Sequence, residues 1–213
     1  DISMNLANIE RYGCKYGTFQ FYVFDGKTLK SMENWTTGGV GRFNSHSTTC
    51  NGLDPRKFFE YSYYDQNYRK WAMDFMDSIP SGSYVFVTNL GHSGFAPFNA
   101  DSLKKDETFF GLGKSLYHKF KSAGLTMVDS FAYNKPMVLA YRKNDLSFTP
   151  IQVFDEPSKQ IVNVFEFPSY FTTGKIESPL YGPAKSWKRL TWNGSEIEQQ
   201  FPDNTSIDIF GRN

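Results

Sequence analysis

Two cysteines, three histidines and no apolar run of bilayer-spanning length limit what these 213 residues can be. A transmembrane helix needs about 18 or more consecutive apolar residues, and the mean hydropathy of −0.50 agrees with their absence. Cys14 and Cys50 are too few for a disulfide framework, and neither has the C-x-x-C spacing of zinc or redox sites. Histidine, cysteine and carboxylate residues form no metal-ligand cluster in the sequence. No single sign of charge dominates either: 23 Lys and Arg stand against 22 Asp and Glu. The chain therefore lacks the basic footprint of a nucleic-acid binder. No basic segment leading into an apolar one opens it, and it starts at Asp1 rather than Met. Those features lead us to expect a processed or excised piece of a longer protein.

Aromatic residues are abundant, with 21 Phe and 13 Tyr. They suit a β-rich core or a surface on which sugars or peptides stack.

Residues 19–143 read as one connected unit of strands and helices. A hairpin is expected from strand 19–24 through Asp25-Gly26-Lys27-Thr28. Tyr68, Trp71, Ala72, Phe75 and Ile79 then recur at helical spacing, with Arg69, Lys70, Asp74 and Asp77 on the other side. This predicts a helix over 67–78, ended by Pro80-Ser81-Gly82. The apolar run 84–88 predicts an interior strand covered on both faces. Leu112, Leu116 and Phe120, interleaved with lysines, predict a second helix over 113–122 that stops at Gly124. Strands 125–131 and 137–142 would close the unit.

A boundary is expected at Lys143-Asn144-Asp145. Beyond it, strand candidates at 151–154, 160–167, 175–178, 187–192 and 205–210 alternate with Pro, Gly and Asn turns. The expected organisation is a lead-in over 1–18, an α/β module over 19–145, and a β-sandwich-like region over 146–213 that is cut from something larger. The fold class is α+β: an α/β-type sheet of mixed strands flanked by helices, followed by a β-rich, sandwich-like C-terminal region.

Chemistry is sparse. His118 reads as a surface or boundary residue of the second helix, and His46 as part of a mobile polar loop. His92 follows the central strand, where α/β sheets place ligands; both a structural and a ligand-contacting role stay open for it. Gly38-Gly39-Val40-Gly41 and Gly111-Leu112-Gly113-Lys114-Ser115 lack the full phosphate-loop patterns. No nucleotide, metal or other cofactor is expected. Asn34, Asn193 and Asn204 open generic glycosylation sequons. A disulfide between Cys14 and Cys50 and a pair of free thiols are both compatible with the sequence.

Phe21-Tyr22-Val23-Phe24, Asp25-Gly26-Lys27-Thr28, the helix end at Phe75–Ile79, Ser81-Gly82 and Tyr84-Val85-Phe86-Val87 together resemble the interleukin-like EMT inducer domain (also called the GG or PANDER-like domain). Leu116–Gly124 matches that family's helix and small-residue turn. Asn134-Lys135-Pro136-Met137-Val138 departs from it where the family carries an aromatic. A second resemblance rests on Ile79–Val85, on Phe110–His118 and, most distinctively, on 178–188. It is to large Bacteroidetes surface proteins of the type IX secretion sortase (gingipain-like) family, downstream of their peptidase domain. This resemblance implies an extracytoplasmic setting, in the periplasm or at the outer membrane and cell surface. The family's Cys–His dyad belongs to the peptidase domain, and Cys14 and Cys50 lack that context, so no enzyme activity is expected of this chain. The first resemblance implies sugar binding. The expected role is therefore non-catalytic: binding or positioning a glycan or a secreted protein partner, with Asn89, His92 and Trp35 as candidate contacts. A purely structural spacer beside a peptidase domain is the alternative, and an independent hydrolase a third reading.

Overall fold

The computed structural model describes residues 15–48, 55–91 and 96–157, with the single residues 159, 161, 189 and 191. The chain divides into units 1–172 and 173–213; every element below belongs to the first.

β1 (Thr18–Phe24) is buried along all seven residues, as a strand with both faces covered must be. After it, Asp25 caps the turn by accepting the Lys27 and Thr28 amides. The expected hairpin is reduced to one bridge between Phe24 and Ser31. β1 instead finds its partners far along the chain. Two short strands, β2 (Thr36–Thr37) and β3 (Val40–Gly41), form a hairpin of their own. Then come β4 (Phe59–Ser62), α1 (Gln66–Ser78) and β5 (Tyr84–Leu90). α2 (Ala100–Lys104), α3 (Glu107–Phe110) and α4 (Leu116–Ser122) precede β6 (Met137–Arg142) and β7 (Ile151–Phe154).

The sheet order is β4-β1-β5-β6-β7, with β5 at its centre, and every pair is antiparallel. That corrects the expectation of mixed pairing. β4 and β5 both run opposite to β1, so they share a direction, and α1 carries the chain between them across β1. The parallel relation exists, but β1 is inserted into it. β7 corrects the expected boundary as well. Expected as the first strand of a separate region, it pairs instead with β6 from Met137↔Phe154 to Ala140↔Ile151. The mixed α+β architecture is thus present in the described unit; apart from the single residues 161, 189 and 191, the candidate strands beyond 157 lie outside the described residues.

Strand alternation sorts the core into two faces. Phe19, Phe21, Val23, Phe59, Tyr61, Val85, Val87, Leu139 and Tyr141 meet the helices. Phe75 of α1 reaches Phe59 at 4.4 Å and Phe21 at 5.8 Å between ring centroids. The opposite face buries Tyr22, Phe24, Phe58, Tyr84 and Phe86, beside the polar Thr18, Gln20, Glu60 and Thr88.

α1 is capped by Asp65, which accepts the Asn67 and Tyr68 amides. Its buried stripe includes Ala72, Phe75 and Ile79 as predicted, but turns further toward Met73 and Met76. It also takes in Arg69, contrary to the expectation that this residue lies on the wet side. Asp106 supplies the reason: its carboxylate receives Arg69 Nε and Nη2, both at 2.6 Å, deep in the protein.

α4 begins at Leu116 rather than 113, because Ser115 caps it. Leu112 lies outside the helix and is 92% exposed. The end is as expected. Gly124 sits at φ 85°, its amide reaches the Lys121 carbonyl at 3.0 Å and the Leu125 amide the Phe120 carbonyl at 3.1 Å. This is a Schellman closure.

Residues 125–131 are not a strand: Thr126–Ser130 is a 3-10 helix. Leu125, Val128 and Phe131 are buried at a spacing of three, the period of that helix.

Two turns meet at one end of the sheet. Ser83 closes the first onto Pro80, with Gly82 at φ 82°. A Cβ on Gly26 would lie 1.9 Å from the Gly82 carbonyl oxygen, so the second turn must carry glycine there.

Candidate ligand-binding surface

Asn34 organises the segment beside β4. Its amide and carbonyl form a two-way bridge to Arg56. Its Nδ2 donates to Ser45 Oγ and to the Phe58 carbonyl, both at 3.0 Å, and its Oδ1 accepts the Arg42 amide at 2.8 Å. Gly41 makes room for this, since a Cβ there would fall 2.3 Å from Ser45 Oγ and 3.0 Å from Asn34 Oδ1. Asn34 is 1% exposed, so its sequon offers no free acceptor. The β2–β3 loop is Gly38-Gly39, both at positive φ, as a two-residue hairpin turn of this twist demands. Gly38–Gly41 is therefore a hairpin rather than a phosphate cradle.

This frame holds three side chains at the surface. Trp35 is 44% exposed and carries the Arg42 guanidinium 4.3 Å from its ring centroid. The Phe43 ring also lies close to the guanidinium, at 5.0 Å. Arg42 donates to the Glu33 carbonyl but has no carboxylate partner among the described residues; Glu33 is ion-paired with Lys57 instead. Phe43 and Asn44 both sit at left-handed φ, 55° and 57°, an unfavourable region for a bulky residue. Tyr61 Oη donates to the Phe43 carbonyl at 3.1 Å, and the Phe43 ring packs on Phe59 and Phe75. The core thus enforces that conformation. An exposed indole with a cation over one face can stack on a planar or sugar ring and offer it a charge-assisted donor.

The other sequence-predicted contacts are placed elsewhere or lie outside the described residues. Asn89 spends both ends of its carboxamide on backbone: Nδ2 donates to the Lys135 carbonyl at 2.8 Å and Oδ1 accepts the Met137 amide at 2.9 Å. It ties β5 to the start of β6 and is not brought to Trp35. His92, Cys14 and Cys50 lie outside the described residues. His46 is not in a loose loop. Its ring stacks on Tyr68 at 4.0 Å, its amide donates to the Glu60 carbonyl, and its Nε2 is buried with no hydrogen-bond partner. Burial, aided by the Lys15 charge, pushes its pKa down to about 4.

The fold also assembles a Ser-His-Glu group that the sequence reading missed. Ser115 Oγ lies 2.8 Å from His118 Nδ1, and His118 Nε2 lies 3.9 Å from Glu107 Oε2. Ser115 is fully buried and accepts the His118 amide as the cap of α4. Ser115 is thus the N-cap of α4 with the His118 ring folded back onto its hydroxyl, and no substrate carbonyl can reach that buried oxygen. Among the described residues, no three His, Cys, Asp or Glu side chains gather as a metal site. A cleft of about 270 Å³ lies between the turn after β1 and the start of β5, lined by Asp25, Thr28, Lys30, Met32, Pro80 and Ser83. Its carboxylate is committed to the turn: bonds from Thr28 and Lys27 hold the Asp25 pKa below its ordinary value.

Compared with protein-family models, with curated proteins and with solved structures, the chain matches none of them.

Proposed function

We propose that this chain is a non-catalytic binding module that holds a glycan at the Trp35–Arg42 platform. One observation carries the reading: a large aromatic ring stands exposed on an ordered, core-braced segment, with a guanidinium that lacks a carboxylate partner among the described residues. Sugar rings suit the face of such an indole, and the neighbouring guanidinium can donate to their hydroxyls. The resemblance to interleukin-like EMT inducer domains supports a glycan as the ligand. The resemblance to gingipain-like surface proteins supports an extracytoplasmic, cell-envelope setting.

A glycan-array screen of the chain beside its Trp35→Ala variant tests this. We expect saturable binding to a defined class of sugars, weakened about tenfold or more by the loss of the indole. Binding that survives in the variant would remove the platform. A blank array for both proteins would favour the structural-spacer reading.

A further inference from the structure

α3 and the turn after it present an apolar tip unrelated to the Trp35 platform. Phe109 is 71% exposed and Leu112 is 92% exposed, while Phe110 between them turns inward onto the core. The tip is ordered. Gly111 donates to the Glu107 carbonyl, Lys114 donates to the Gly111 carbonyl, and Gly113 donates to Glu107 Oε2, each at 2.9 Å. Gly111 and Gly113, at φ 100° and 73°, allow the two tight bends. Asp106, at the root of α3, is pinned by Arg69. Two large apolar side chains are therefore held away from the core by a built loop.

The surrounding charge is lopsided. Lys104, Lys105 and Lys114 are exposed, and none has a carboxylate partner among the described residues. The stem of Lys114 lies beside Gly111, and Lys104 sits over the Tyr117 ring. Of the nearby acids, Asp106 is buried in its ion pair, and Glu107 accepts the Gly113 amide and faces His118. Asp129 is engaged by Lys121 and Tyr117. Asp101 is left open.

We propose that this tip docks the protein peripherally on an anionic lipid bilayer, with Phe109 and Leu112 entering the interfacial layer and Lys104, Lys105 and Lys114 on the headgroups. Two side chains are too small a surface for a stable protein–protein interface, which needs about 800 Å² from each partner. They are enough for shallow insertion when cations flank them.

Vesicle flotation of the full chain tests it, with phosphatidylcholine alone against phosphatidylcholine mixed with phosphatidylglycerol. The chain is expected to float with the anionic vesicles, less so as salt rises. Phe109→Ser with Leu112→Ser should weaken partitioning about tenfold or more. Lys105→Gln with Lys114→Gln should weaken it about tenfold on anionic vesicles and leave the neutral ones unchanged. Circular dichroism of both variants should match the parent, since all four side chains are exposed. Absence of flotation with anionic vesicles would overturn the proposal, as would undiminished flotation of the Phe109/Leu112 variant. Self-association of the chain that this variant abolishes, without vesicle binding, would make the tip a contact between copies instead.

Discussion

His46 shows how one side chain can set a pH dependence. The folded protein holds its imidazole neutral, with a pKa near 4, against about 6.5 for the unfolded chain. Between those values the unfolded state binds more protons, so stability must fall as pH is lowered. The contribution is complete above about pH 6.5 and disappears toward pH 4. Because the ring is only half-buried, about 1–2 kcal/mol is at stake rather than the full shift. Urea titrations across this window should show the midpoint falling with pH, and His46→Phe, which keeps the stack on Tyr68, should remove that part of the slope. A slope unchanged in the variant would assign the effect to other groups. Sequence could not have placed this residue. Asn44, Ser45, Ser47 and Thr48 make it look solvated, whereas its burial comes from Tyr68 and from an amide bonded to Glu60. Trp35 was legible as a candidate stacking aromatic, but Arg42 above it was not, because the contacts that bring the two together, from Arg42 to the Asn34 side chain and the Glu33 carbonyl, span eight and nine residues.

At the scale of elements, spacing was a good guide wherever the partner was local. α1, β5 and the Schellman end of α4 are found where the period and the glycine place them. Residues 125–131 went wrong because hydrophobic content outweighed the period: apolar side chains three apart speak for a 3-10 turn. Arg69 went wrong for another reason, since the carboxylate that neutralises it lies 37 residues away. That pair joins α1 to the start of α3. Arg69→Met should cost about 3–5 kcal/mol, because it leaves Asp106 charged and buried. Arg69→Met combined with Asp106→Leu should recover most of the loss, as apolar replacements of buried pairs commonly do. Denaturant midpoints of the two proteins decide it; a double variant no better than the single one would mean that packing, not charge, holds this junction.

Over the whole molecule, the antiparallel order β4-β1-β5-β6-β7 places β1 and β5 inside and β7 at an edge. Pairings between residues as distant as 18 and 90 cannot be read from periodicity, which is why a hairpin was expected where β1 in fact takes two remote partners. Hydrogen exchange should follow the order: amides of β1 and β5 slowest, those of β7 and of the β2–β3 hairpin faster. Equal protection of β7 and β5 would contradict a sheet centred on β5. The contact of Gly26 with the Gly82 carbonyl gives this arrangement a further property. The seven-residue ladder between β1 and β5 terminates where two turns touch backbone to backbone, with no space for any side chain. Sliding β1 by two residues would keep its aromatic side chains on the correct faces, but would bring Phe24 or Thr28 to the position only a glycine can occupy. The turns therefore proofread strand pairing: hydrophobicity alone would tolerate the slipped ladder, and steric exclusion at its end rejects it.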